Sequence, residues 1–230
     1  MPTVLVTGAS RGLGFEFVRQ YAAEGWRVVA TCRRPEAAER LGALASRSPG
    51  SVSLHSLDVA SPAAITDLAA ELGETAIDLL INNAGVYPPA LPLGQIDYPA
   101  WEQAFRVNTL APVRMVEAFL PALARARAPR VANITSKMGS IADNTSGGSY
   151  AYRASKTALN MVTANLAHDL RERGITVLGL HPGWVATAMG GAGAPLDVET
   201  SVAGMRRVIA AAKSAHSGRF LAYDGSEIPW

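Results

Sequence analysis

The sequence predicts an α/β fold: a single doubly wound parallel sheet of seven strands with helices on both faces. Three observations lead there. Apolar, β-rich runs recur along the chain, helical stretches separate them, and a glycine-rich turn joins the first run to the first helix. Several runs are apolar nearly throughout instead of alternating, which fits strands covered on both faces of a parallel sheet. Alternation with helices implies βαβ units, and right-handed crossovers put the helices on both sides.

The strands are expected at 3–7 (TVLVT), 27–31 (RVVAT), 51–57 (SVSLHSL), 77–81 (IDLLI), 130–135 (RVANIT), 175–180 (ITVLGL) and 219–223 (RFLAY). The helices between them are expected at 12–24, 35–47, 61–73, 98–108, 111–126, 150–173 and 199–213. Ser61-Pro62 has the form of an N-cap followed by proline at the first helical position. Two connections are irregular: the proline-rich 86–94 (VYPPALPLG) and the glycine-rich 190–195 (GGAGAP). Both follow strands, on the edge where open α/β sheets bind ligands, and 188–198 is read as a mobile substrate lid.

A chain of 230 residues, 49% hydrophobic and 17% charged, is globular and long enough to bury a large core without staples. There is no internal repeat, charged linker or shift of composition, so residues 1–230 are read as one domain. The single Cys32 has no internal disulfide partner. No apolar run approaches the ~20 residues of a membrane span, and no basic, apolar leader opens the sequence. A cytoplasmic location is therefore expected. A net charge of +2 is too weak to argue for nucleic acid. The arginine clusters at 125–130, 171–173 and 206–207 fall toward helix ends, where cations complement the helix dipole.

Function is written first in TGASRGLG, Thr7 to Gly14, between the first strand and the first helix. Glycines at 8, 12 and 14 allow a tight turn and a close backbone approach. The N–H groups that open the helix then face an anion, so the turn is read as a cradle for a dinucleotide pyrophosphate. A site that prefers NAD carries a carboxylate at the end of the second strand, to accept from the ribose hydroxyl. Here the sequence is VVATCRRP, with Arg33 and Arg34 and no acid. Guanidinium suits a 2′-phosphate, Arg11 adds a second cation, and the expected cofactor is NADP(H).

These pieces, together with LDV (57–59), NNAG (82–85), Asn108 in RVNTLAP, Ser136 in NITSKMGS, YRASK (152–156) and HPGWVAT (181–187), occur in an order that resembles the short-chain dehydrogenase/reductase family. They cover nearly the whole chain. The runs 136–160 and 182–191 and the DGSEIPW ending most resemble the subgroup of carbonyl reductase sniffer and C-factor-like members. The resemblance implies a Rossmann-type fold in which Gly8, Ser10, Arg11, Gly12, Leu13, Gly14, Arg33, Asp58, Val59, Asn83, Ala84 and Gly85 hold the adenosine and phosphate side of the cofactor. It implies that Pro182, Gly183, Val185 and Thr187 hold the nicotinamide amide, with Tyr152 and Lys156 also in contact with the cofactor.

Within 150–173, read as one helix, Tyr152 and Lys156 are four apart and share a face, whereas Tyr150 lies on another. A free phenol titrates near ~10 and a neighbouring ammonium lowers that value. The resemblance implies carbonyl reduction with Tyr152 as proton donor, Ser136 on the carbonyl oxygen, Lys156 on the ribose and Asn108 positioning a water. Ser136 stands sixteen residues before Tyr152, more than is usual in the family, the excess falling in ADNTSGG. Ser140 is nearer the common spacing, but Ser136 directly follows the strand at 130–135 and is preferred. Tyr87, Pro88, Trp184 and Met189 belong either to an apolar substrate rim or to packing. The expected substrate is a small, fairly apolar ketone, aldehyde or quinone. The alternative is an NADP(H)-binding signalling or regulatory protein of C-factor type with incidental turnover. The resemblance implies that the helices at 111–126 and 150–173 pair across a two-fold axis, so a homodimer or homotetramer is expected, with no metal, nucleic acid or membrane partner.

Overall fold

The computed structural model describes residues 1–230 and contains one seven-stranded sheet. In chain order the strands are β1 (Thr3–Val6), β2 (Arg27–Cys32), β3 (Val52–Ser56), β4 (Leu79–Asn82), β5 (Arg130–Ile134), β6 (Thr176–His181) and β7 (Phe220–Ala222). They lie in the order β3-β2-β1-β4-β5-β6-β7, and every pair is parallel. The strand order reverses between β1 and β4, which opens a crevice beyond their carboxyl ends.

The helices are α1 (Gly12–Ala23), α2 (Glu39–Arg47), α3 (Pro62–Leu72), α4 (Tyr98–Phe105), α5 (Ala111–Ala124), α6 (Tyr150–Asp169) and α7 (Val198–Ala211). Caps fix several starts: the Ala64 N–H donates to Ser61 Oγ at α3, Ala100 to Asp97 at α4, and Thr200 to Asp197 at α7. The stretch expected as one helix at 35–47 is broken into a 3₁₀ turn at Pro35–Ala37 and α2. The expected gap between 108 and 111 is instead a π-helical turn, Arg106–Leu110, that joins α4 to α5. No helix is long and apolar enough to cross a membrane.

Alternation along β1 divides the core. Val4 and Val6 face a cluster completed by Phe17, Val18, Leu41, Val202 and Met205 from α1, α2 and α7. Leu5 faces a second cluster with Ile65, Leu68, Met115 and Phe119 from α3 and α5. The buried Cys32 lies in the first cluster, and burial pushes its thiol up.

Helix α6 docks differently. Its buried face carries Tyr152, Ser155, Lys156, Asn160 and Thr163. Buried polar groups require partners, and these find them on the sheet and its loops. Asn82 Nδ2 donates to Asn133 Oδ1 (2.8 Å), and Asn133 Nδ2 donates to Thr163 Oγ1 (3.0 Å). Thr135 Oγ1 donates to Asn160 Oδ1 (2.7 Å), and Asn160 Nδ2 donates to the Gly139 carbonyl (3.2 Å). From the π-helical turn, Thr109 Oγ1 donates to the Ser155 carbonyl (2.8 Å).

Candidate active site

β1 delivers Thr7 and Gly8 to the carboxyl edge of the sheet. Gly8 (φ 67°) and Gly12 (φ 55°) are left-handed, a conformation glycine adopts without steric cost. A Cβ on Gly14 would stand 2.2 Å from the Gly8 carbonyl oxygen and 2.6 Å from Asn83 Nδ2, so the turn and α1 meet closer than any side chain permits. Asn83 braces the turn from β4: its Nδ2 donates to the carbonyls of Thr7 (2.8 Å) and Gly8 (3.2 Å). The N–H groups of Asn83 and Ala84 both donate to Thr7 Oγ1 at 3.0 Å. Arg11, at the N-cap of α1, makes no side-chain cap bond.

The loop after β6 reaches the same place. Thr187 Cγ2 lies 3.6 Å from where a Cβ on Gly12 would be. The Thr187 hydroxyl accepts from the Gly190 N–H (3.1 Å), Trp184 Nε1 donates to the Gly190 carbonyl (2.8 Å), and Ala186 N donates to the Leu196 carbonyl (2.8 Å). The segment read as a lid is thus a short loop tied at its base and running into α7. At the end of β2, Arg33 and Arg34 are exposed and, like Arg11, take part in no ion pair. Asp58 uses Oδ1 to accept from the Ala60 N–H (2.9 Å), which turns the chain toward α3, while Val59 is buried.

The third group comes from α6 and the end of β5. Tyr152 and Lys156 share the buried face, with Nζ 5.9 Å from the Tyr152 ring centroid. Nζ donates to the Ile134 carbonyl (2.8 Å). Burial brings the Lys156 ammonium down to about 8 and pushes the Tyr152 phenol up to about 12. A hydrogen bond with the Ser136 hydroxyl pulls the phenol back, and the neighbouring Tyr87 raises it further. The expectation that Lys156 makes this phenol more acidic is not met by the chain's own groups: the amine's bond goes to Ile134, and burial is the largest influence on the phenol. Tyr150 is exposed, as its other face implies, and packs 6.4 Å from Trp101.

Of the two serines, Ser136 faces Tyr152. Ser136 also caps the 3₁₀ turn Lys137–Gly139, accepting from the Met138 N–H (3.2 Å). A Cβ on Gly139 would be 2.8 Å from the Lys156 backbone carbon, so that turn is pressed against α6. Ser140 is spent elsewhere: it donates to the Trp230 carbonyl (3.4 Å) and accepts from the Asp143 N–H (3.1 Å).

Asn108 sits in the π-helical turn, a feature that often marks functional positions. Its Oδ1 accepts from Val86 N (2.9 Å), and its Nδ2 donates to the Val86 carbonyl (2.9 Å) and to Ser155 Oγ (3.0 Å). The side chain braces the segment after β4. Gly85 packs between the two polar groups: a Cβ there would be 3.3 Å from Asn108 Oδ1 and 3.8 Å from Lys156 Nζ.

Sequence reasoning did not find the residues that fix the extra length between Ser136 and Tyr152. Arg153 ties it down, with Nε on the Gly147 carbonyl (3.1 Å), one terminal nitrogen on Ser146 Oγ (2.8 Å) and the other on the Met138 carbonyl (3.3 Å). Lys137 pairs with Asp143 at 3.2 Å. Gly147, Gly148 and Ser149 are all left-handed, and Ser149 (φ 44°) is the one such residue that is not glycine. The available signal was the Gly-Gly-Ser run just before a helix.

A family model described as short chain dehydrogenase matches residues 2–195. The chain is 50% identical over 154 residues to C-signal of Myxococcus xanthus, a match that spans 67% of this chain and 93% of that relative. Two solved structures superpose over the whole chain with TM-scores of 0.94. Carbonyl reductase Sniffer of D. melanogaster is 34% identical and covered over 100% of its length. The NADPH-bound carbonyl reductase from chicken fatty liver is 38% identical and covered over 99%. Matching motifs, strand order and relatives agree: the chain belongs to the short-chain dehydrogenase/reductase family of oxidoreductases.

Proposed function

We propose that the protein reduces a ketone, aldehyde or quinone to the alcohol with NADPH. The observation that carries the reading is the buried Tyr152–Lys156 pair beside Ser136, opening on the same sheet edge as the glycine turn. The residues fit the cofactor. Lys156 has three donors, one carbonyl partner and no carboxylate, so a ribose diol suits the other two. Gly8, Gly12 and Gly14 leave room for a pyrophosphate, and Arg11, Arg33 and Arg34 are cations free to meet a 2′-phosphate. Ser10, Leu13, Asp58, Val59, Asn83, Ala84, Gly85, Pro182, Gly183, Val185 and Thr187 complete the cradle, and 188–198 covers the substrate.

Bound NADPH supplies the hydride to the carbonyl carbon. Tyr152 Oη gives its proton to the carbonyl oxygen, to which Ser136 Oγ also donates. The Lys156 ammonium steadies the phenolate left behind, and Asn108 acts as a positioning residue through Val86 and Ser155. The test is NADPH oxidation with a generic carbonyl such as isatin. The relative named C-signal favours one other reading, an NADP(H)-binding signalling protein; cofactor binding without turnover across a broad carbonyl panel would establish that instead.

Three results are expected from this reading. Wild type should prefer NADPH over NADH in kcat/KM, and Arg33→Ala should lower that preference roughly 10- to 100-fold, the worth of a hydrogen bond to a charged group. Preference of wild type for NADH would remove the phosphate contact. Ser136→Ala should lower kcat ~10²-fold, the scale of one oxyanion donor, whereas Ser140→Ala should mainly lower Tm; the reverse pattern would exchange their roles. Two copies pair through α5 and α6, where the side chain of Met161 is exposed. Light scattering should report a dimer or tetramer, and a monomer at working concentration refutes the pairing.

A further inference from the structure

The aromatic residue nearest the proposed proton donor has no part in the proton transfer. Tyr87, two residues beyond Gly85, lays its ring 4.5 Å from that of Tyr152, at 45° between planes. Its hydroxyl is held 2.9 Å from Ser149 Oγ. Ser149 is the left-handed residue (φ 44°) at the start of α6. Such a conformation costs a non-glycine residue free energy and persists where the surroundings over-determine it. The preceding Gly147, held by Arg153, and Gly148 provide those surroundings.

The Tyr87 ring is therefore anchored at its hydroxyl end and packed at one side, yet the residue is 39% exposed. Just beyond it in the chain, Pro88, Pro89, Leu91 and Ile96 line a shallow groove with Tyr150 and Ala151. The charged group at that groove, Asp97, is occupied in capping α4. An anchored ring beside the reacting hydroxyl offers a preorganised surface for another π system, and preorganisation reduces the ordering cost of binding.

We propose that Tyr87 is a specificity-determining residue that selects carbonyls conjugated to a flat aromatic ring. The inference rests on the reductase reading and adds the substrate class to it. A saturated ketone presents no face for the stack; an aryl ketone or a cyclic aromatic dione does.

The experiment compares kcat/KM for isatin and for cyclohexanone in wild type, Tyr87→Leu, Tyr87→Phe and Ser149→Ala, with thermal melts as a control for folding. Taking the ratio of the two substrates within each variant, and then comparing variants, cancels their unequal intrinsic reactivity. Tyr87→Leu should lower the isatin-to-cyclohexanone ratio roughly 2- to 10-fold, the size of one aromatic contact, chiefly through KM for isatin. Tyr87→Phe and Ser149→Ala each keep the ring and remove its anchor, so both should lower the ratio in the same direction and by less than Tyr87→Leu. An equal loss on both substrates, or an unchanged ratio in Tyr87→Leu, overturns the proposal. If the leucine variant does not fold, an unchanged ratio in Ser149→Ala overturns it. Failure of wild type to turn over either carbonyl is a separate result, and it removes the reductase reading itself.

Discussion

Tyr152→Phe is expected to lower kcat for carbonyl reduction by ~10²-fold or more, the usual scale for a positioned proton donor. NADPH affinity and Tm should stay close to wild type, because the ring keeps its place on the buried face of α6 and against Tyr87. No other hydroxyl takes over the role easily: Ser136 is a far weaker acid, and Tyr150 is exposed on another face. The pH dependence carries a sign that distinguishes this site from a free phenol. Burial holds Tyr152 up at about 12, so it remains protonated across the neutral range, whereas Lys156 sits at about 8. Reduction should therefore decline as pH rises through about 8, when the ammonium is lost, while the phenol still carries its proton. A phenylalanine variant with near wild-type kcat would falsify the assignment of Tyr152, and a profile flat well past pH 8 would remove Lys156 from the protonation step.

Lys156→Met should be inactive and yet more stable than wild type at pH 7. The ammonium is enclosed, has one carbonyl partner and meets no carboxylate. Its fall to about 8 from the ordinary 10.5 is caused by desolvation. That difference corresponds to roughly 3 kcal/mol held against folding. The direction with pH follows. Below about pH 8 both folded and unfolded chains carry the charge, and the whole penalty applies. Between 8 and 10.5 the folded chain releases its proton first, so wild-type stability rises with pH; above 10.5 nothing of the penalty remains. Methionine keeps most of the side-chain volume and has no charge to desolvate. Its Tm advantage should be several degrees at neutral pH and should shrink through that window. Thermal melts of both proteins at a series of pH values decide the matter: a methionine variant less stable at pH 7, with no convergence at high pH, would show that the burial is not costly. Activity lost together with stability gained is the expected mark of a residue held for function.

The sheet was legible because its strands are apolar on both faces. β1, β4 and β5 stand out as runs that no amphipathic helix would produce, and each lies where expected. The glycine turn was legible for a related reason, since glycine leaves a visible trace wherever a Cβ cannot fit. The four polar residues Asn108, Ser136, Tyr152 and Lys156 are singled out by the family resemblance of the motifs that hold them. What could not be read was how each is used. Asn108 bonds to Val86, twenty-two positions away, and Ser140 to Trp230, ninety positions away. Such partners are set by tertiary proximity, which no local pattern records. The rise of the Tyr152 phenol was hidden for the same reason, because its enclosure comes from segments far away in the chain. Arg153 looked like an unremarkable member of YRASK until the chain before it folded back within reach of its guanidinium.

The docking of α6 has a mechanical consequence. A helix seated on oily side chains can slide or roll by a fraction of a turn at little cost, since dispersion has no preferred direction. The bonds from Asn133 to Thr163, Thr135 to Asn160 and Thr109 to Ser155 act like keys on a shaft. Each has a bearing as well as a length, so together they lock rotation and depth at once. The phenol and amine borne on that shaft are aimed by the scaffold before any substrate arrives, and binding need not spend free energy on turning them.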